Sequence, residues 1–87
     1  MMNKKLVLNS ARILTLAKDP RTMNRIHRLT GIPYQTIHRY FRNPGTVQQI
    51  GLDKLGAILS AGLGLSQDEI ENLKIKDVFQ VVENGDD

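Results

Sequence analysis

Residues 22–42 constrain this chain more than any other stretch, because they hold two short apolar-striped segments separated by one glycine, Gly31. In the second segment, 33–42, Ile37, Tyr40 and Phe41 recur at helical spacing. Gln35, His38, Arg39 and Arg42 fall on the opposite side when about 100° is added per residue. In the first, Met23, Ile26 and Leu29 make a stripe behind Thr22, whose hydroxyl suits a helix N-cap. Gly31 takes the positive φ that a tight turn needs. Ile32 must be extended because a proline follows it, and Pro33 fits the first turn of the next helix. Two helices bounded in this way bury their apolar stripes and leave a polar stripe outside.

With 87 residues and 40% hydrophobic content, the chain can make one domain with one small core, over 1–83. There is no cysteine, so disulfides, zinc–cysteine sites and thiol catalysis are excluded. The N-terminus has no long apolar run of the signal-peptide or membrane-span kind, and a cytoplasmic location with no membrane partner is the expectation. Charge is divided unevenly. Residues 1–54 carry ten Lys/Arg against Asp19 and Asp53, a net of +8, and residues 55–87 carry two Lys against seven acids, a net of −5. Such asymmetry suits a polyanion on one face, although an unevenly charged solvated surface explains it equally well.

Lys4 to Leu8 reads as a short strand and Asn9-Ser10 as a cap for a first helix with core positions Ala11, Ile13, Leu14 and Ala17, ending at Asp19-Pro20. One continuous helix from Lys4 is the competing reading. Asn43-Pro44-Gly45 ends the third helix. A fourth carries Leu52, Leu55, Ile58 and Leu59 and closes near Gly62 and Gly64, with Gly56 costing about 1 kcal/mol inside it. Ser66 and Glu69 make a capping-box pattern for a fifth. Val78 to Val82 reads as a strand able to pair with Leu6 to Leu8, and 84–87 as a polar tail expected to fray.

A helix divided like 33–42 can lie in the major groove and offer donors to base edges. Gly31 to Arg39 resembles the recognition segment of lac-repressor-type proteins, where a Tyr-Gln-Thr run followed by Arg reads operator bases. That likeness implies Tyr34, Gln35 and Arg39 on bases and Thr36 on a phosphate. The surrounding order of helices, with Leu63-Gly64-Leu65-Ser66-Gln67-Asp68-Glu69-Ile70 introducing the last one, is similar to the Cro/CI, or xenobiotic-response-element, repressor family. Ile75 to Phe79 resembles the end of small members that pair a terminal strand with the N-terminus. The resemblance spans roughly residues 7–82 and implies a mainly α, five-helix lambda-repressor-like helix-turn-helix domain. Two positions depart from the pattern. His27 stands where alanine is usual and must widen the helix crossing or point aside, and Pro33 replaces a capping serine.

Gln35 lies near the centre of the outward face and its amide can pair with adenine, while the Arg39 fork matches guanine O6 and N7. Tyr34 sits at the edge of core and polar face, so packing competes with groove contact. Thr22, Arg28, His38 and Arg42 are expected at phosphates or beside them, the start of the helix after Thr22 adding backbone N–H donors. His27 and His38 lack further ligands for a metal, no catalytic constellation or phosphate loop occurs, and no cofactor or small-molecule ligand is expected. The expected function is a sequence-specific transcriptional regulator, a repressor acting on double-stranded DNA as a homodimer. The expected contact surface is C-terminal, from Leu63, Leu65, Ile70 and the Val78–Val82 strand. The alternatives are an antitoxin that also represses its own operon, and a protein-interaction module that does not bind DNA.

Overall fold

β-branched and apolar side chains near both ends of the chain meet in a two-stranded antiparallel sheet, β1 (Asn3–Leu8) against β2 (Phe79–Asn84), with Leu6 opposite Val81 and Leu8 opposite Phe79. The structure is a computed structural model and describes residues 3–84. The strand reading of Lys4 to Leu8 therefore stands over a continuous helix from Lys4. Between the strands lie α1 (Ser10–Thr15), α2 (Met23–Thr30), α3 (Tyr34–Arg42), α4 (Leu52–Ala57), α5 (Gln67–Glu71) and α6 (Ile75–Val78). The protein is thus mainly helical, with six α-helices among the described residues where five were expected.

Local signals explain most boundaries. The Asn9 side chain caps α1, Thr22 caps α2 by accepting from the Arg25 N–H, and Gly31 closes α2 at φ 76°. Pro33 precedes α3 as its cap without a side-chain acceptor, so the helix starts at Tyr34, one residue later than the sequence suggests. Ser66 and Glu69 form the expected capping box at α5. Other boundaries differ from expectation. α1 stops at Thr15, well before Asp19-Pro20, and the Thr15 hydroxyl donates back to the Arg12 carbonyl at 2.6 Å. Val78 ends α6 rather than opening the strand, because the Asp77 carboxylate accepts from the Lys74 N–H and winds one turn there. Asn84 belongs to β2, and the rest of the tail, 85–87, lies outside the described residues.

α4 continues as a wider turn over Ile58–Gly62, where the Leu63 N–H donates to the Ile58 carbonyl at 2.8 Å. The Ser60 hydroxyl donates to the Gly56 carbonyl at 2.7 Å just before it, a side-chain bond of the kind that bends helices. The wider turn carries Gly62 against α2, where an added Cβ would lie 3.1 Å from Thr30 Cγ2 and 3.2 Å from Ile26 Cγ2. Glycine is what permits that approach.

One core gathers Ile13, Ile26, Ile37, Tyr40, Ile58 and Leu63 from α1, α2, α3 and the α4 extension. Ser10 is the buried polar residue among the described residues, and its hydroxyl donates to the Tyr40 carbonyl at 2.6 Å. That carbonyl would face the N–H four residues on, but Pro44 has none, so the α1 serine takes the place of a missing helical donor. Ser10→Ala strands the carbonyl in the core and is expected to cost about 1–3 kcal/mol, read by urea unfolding. A loss under a few tenths of a kcal/mol would show that the carbonyl finds another donor.

Ion pairs fasten α1 and the turn after it to the C-terminal helices. Arg12 bonds Asp77 at 3.0 Å and Lys18 meets Glu69 at 3.2 Å. Glu69 is held below the ordinary carboxylate range by the Ser66 backbone N–H and then by Lys18, and Asp77 by the Lys74 N–H and then by Arg12. A carboxyl whose folded value is depressed contributes stability above its unfolded value and loses it as pH falls through the folded one. Melting temperature is therefore expected to fall on acidification below about pH 4. Glu69→Gln with Asp77→Asn should flatten that fall, and an equally steep fall in the double variant would assign it to other acids.

Candidate nucleic-acid interface

α3 is anchored by Ile37 and Tyr40, which are 0% and 3% exposed, and by the Ser10 bond to its last turn. With those two residues inside, the 3.6-residue period dictates what faces out. Gln35, His38, Arg39 and Arg42, spaced i, i+3, i+4 and i+7, form one exposed stripe. None of the four makes a side-chain hydrogen bond among the described residues, and neither Arg39 nor Arg42 forms an ion pair there. The Arg39 guanidinium lies 5.9 Å from the centre of the Tyr40 ring, the outer limit of a cation–π contact, so its donors stay open.

Two clefts flank this stripe. One, of about 320 Å³, runs between α3 and the start of α2 and is lined by Arg21, Thr22, Asn24, Tyr34 and Arg42 over the apolar Leu14, Met23 and Phe41. Thr22 sits there as the α2 cap; its oxygen accepts from Arg25, and its O–H remains able to donate. Arg21 is committed to Asp19 at 2.9 Å, and Arg25 approaches the same acid at 3.9 Å. The other cleft, of about 210 Å³, is polar and is lined by Arg39, Thr46, Gln48 and Gln49.

The sequence-derived candidates thus divide. Thr22, Tyr34 and Arg42 share the first cleft, Arg39 lies at the second, and Gln35 and His38 lie on the open stripe. Arg28 is exposed on α2 and Thr36 is half-buried on α3, and neither lines either of these two clefts. Asn24, Gln48 and Gln49 were not singled out from the sequence. The two glutamines lie in a loop with no periodicity to mark them, and only their polarity could have been noticed.

Tyr34 is 41% exposed, with its ring edge-on to His27 at 6.0 Å and tilted against His38 at 6.2 Å, so it packs and faces solvent at once. His27, half-buried on α2, lies between the Tyr34 ring and the turn. Its Nδ1 faces the Ile32 carbonyl, which only accepts, so that nitrogen carries the proton. The imidazole thereby ties α2 to the turn that aims α3.

The surface expected to join two copies is largely spent on the core. Leu63, Leu65 and Val78 are 0%, 9% and 7% exposed and belong to the core, and Ile70, half-buried, packs against it. Among the described residues no three metal-ligating side chains converge, and no helix is long and apolar enough to cross a membrane. Comparison of the chain with protein-family models, with curated proteins and with solved structures finds no match in any of the three.

Proposed function

We propose that this protein is a sequence-specific DNA-binding regulator of the Cro/CI type, a lambda-repressor-like helix-turn-helix domain that sets α3 in the major groove and represses as a homodimer. One observation carries the reading: a stripe of Gln35, His38, Arg39 and Arg42 stands exposed, without a side-chain hydrogen bond among the described residues, over a buried Ile37 and Tyr40. Arginine and glutamine are the side chains whose paired groups match guanine and adenine edges. In this arrangement Gln35 and Arg39 read bases and Tyr34 meets the groove wall. Thr22, Arg42, His38, Thr36 and Arg28 lie toward phosphates, with Gln48 and Gln49 beside Arg39. A single short helix reads few base pairs, so two copies on half-sites about 34 Å apart supply the specificity.

Selection of bound duplexes from a random pool tests this. A two-fold consensus is expected, and log K should fall linearly with log salt at about −0.9 per phosphate contact. No enriched sequence, with no affinity for any duplex at moderate salt, would sink the reading in favour of a protein-interaction module.

A further inference from the structure

Among the described residues six large apolar side chains stand exposed, Leu6, Leu52, Ile75 and Val81 among them. One of these four, Ile75, lines a groove of about 210 Å³ between α4, α5 and α6. Leu59 lies buried at its base and Leu55 half-buried in its wall. Leu52, one turn further along the same stripe of α4, is 86% exposed. Ile75 forms the opposite rim at 74% exposure. Phe79 lines the groove too, and Val81, two residues on and therefore on the same face of β2, carries the apolar surface outward beside its register partner Leu6. A contiguous apolar surface of this kind marks a contact site.

We infer that this surface takes a second copy of the chain, Leu52 of each entering the groove of the other. The surface is self-complementary, as a two-fold contact requires. It offers a projecting aliphatic side chain and a groove with room for one. Asp53 follows Leu52, and Lys74 lines the groove, and among the described residues neither forms an ion pair. When Leu52 enters the partner's groove, each Asp53 comes toward the partner's Lys74, and symmetry makes the pairing twice. None of the groove-lining residues lines either cleft beside α3, so the polar stripe stays uncovered. The purpose of the pairing rests on the two-fold reading of DNA above, but its existence does not.

Sedimentation equilibrium of the whole chain without DNA tests it. A monomer–dimer equilibrium is expected below about 100 µM, since one groove per copy makes a small interface. Leu52→Glu should weaken association at least about tenfold, a loss of about 1.4 kcal/mol, with the melting temperature unchanged at concentrations low enough to hold both chains monomeric, because the side chain is exposed. Asp53→Lys and Lys74→Asp should each weaken it and the double reversal restore it. A wild-type chain that stays monomeric, a dimer indifferent to Leu52→Glu, or a double reversal no better than the singles would overturn the inference. A wild-type dimer that binds no duplex would strike the proposed function and leave this surface standing.

Discussion

Arg39→Ala is expected to lower affinity for the selected duplex roughly 5- to 150-fold, about 1–3 kcal/mol, and to relax the preference at one base position per half-site. The loss arises because a guanidinium with open donors gives guanine two parallel bonds, and alanine leaves both acceptors without a partner. Arg39 is exposed and makes no ion pair among the described residues, so the melting temperature should hold. Lysine at this position restores charge but not the planar fork, so Arg39→Lys should recover affinity for duplexes in general and little of the discrimination. Arg28→Ala should instead weaken all duplexes alike and reduce the salt slope by about 1. Competition binding with single-position duplex variants distinguishes the two patterns. If Arg39→Ala weakened every duplex equally, the division between base reading and phosphate holding on α3 would be wrong.

Ile37→Ala should destabilise the fold by about 2–5 kcal/mol, because Ile37 is 0% exposed and its removal leaves a cavity where α3 meets the core. For a domain of this size 1 kcal/mol corresponds to about 4–8 °C, so the melting temperature should drop by more than about 8 °C. That is a large share of the stability expected for so short a chain, about 0.05–0.15 kcal/mol per residue. Ile37→Val, which removes one methyl, should cost only about 0.5–1.5 kcal/mol. Calorimetry checks both. The two isoleucine variants would lose duplex binding only in step with unfolding, whereas Arg39→Ala loses it while folded. A drop under about 1 kcal/mol for Ile37→Ala would mean that the core closes over the gap and that α3 is less firmly seated than its burial implies.

Much of the α2–α3 region was legible because its signals are local. The Thr22 cap spans three residues and Gly31 a single backbone angle, and the stripes of Ile26 and of Ile37 with Tyr40 repeat within two turns. The same holds for Ser66 and Glu69. α6 escaped notice because four residues are too few for a period to register, and its turn is secured by an acid that also pairs with Arg12, 65 positions away. The widened turn after α4 comes with Ser60 bonding back to Gly56, a choice that a serine in a helix is not obliged to make. The end of α1 was placed too late because Ala17 fits a helical stripe as well as it fits the bend where it lies.

By itself the sequence determined the periods, the caps and the turn, and through them which side of α3 is polar, because each is an interaction between residues within about one helical turn. It could not rank leucines of equal hydrophobicity. Leu63 and Leu65 lie inside while Leu52 stands 86% exposed, and that difference comes from the fold-back at Gly64 and the close approach of Gly62 to α2. Burial is a property of what arrives from elsewhere in the chain, so only the assembled molecule could decide which apolar face closes the core and which remains open to a partner.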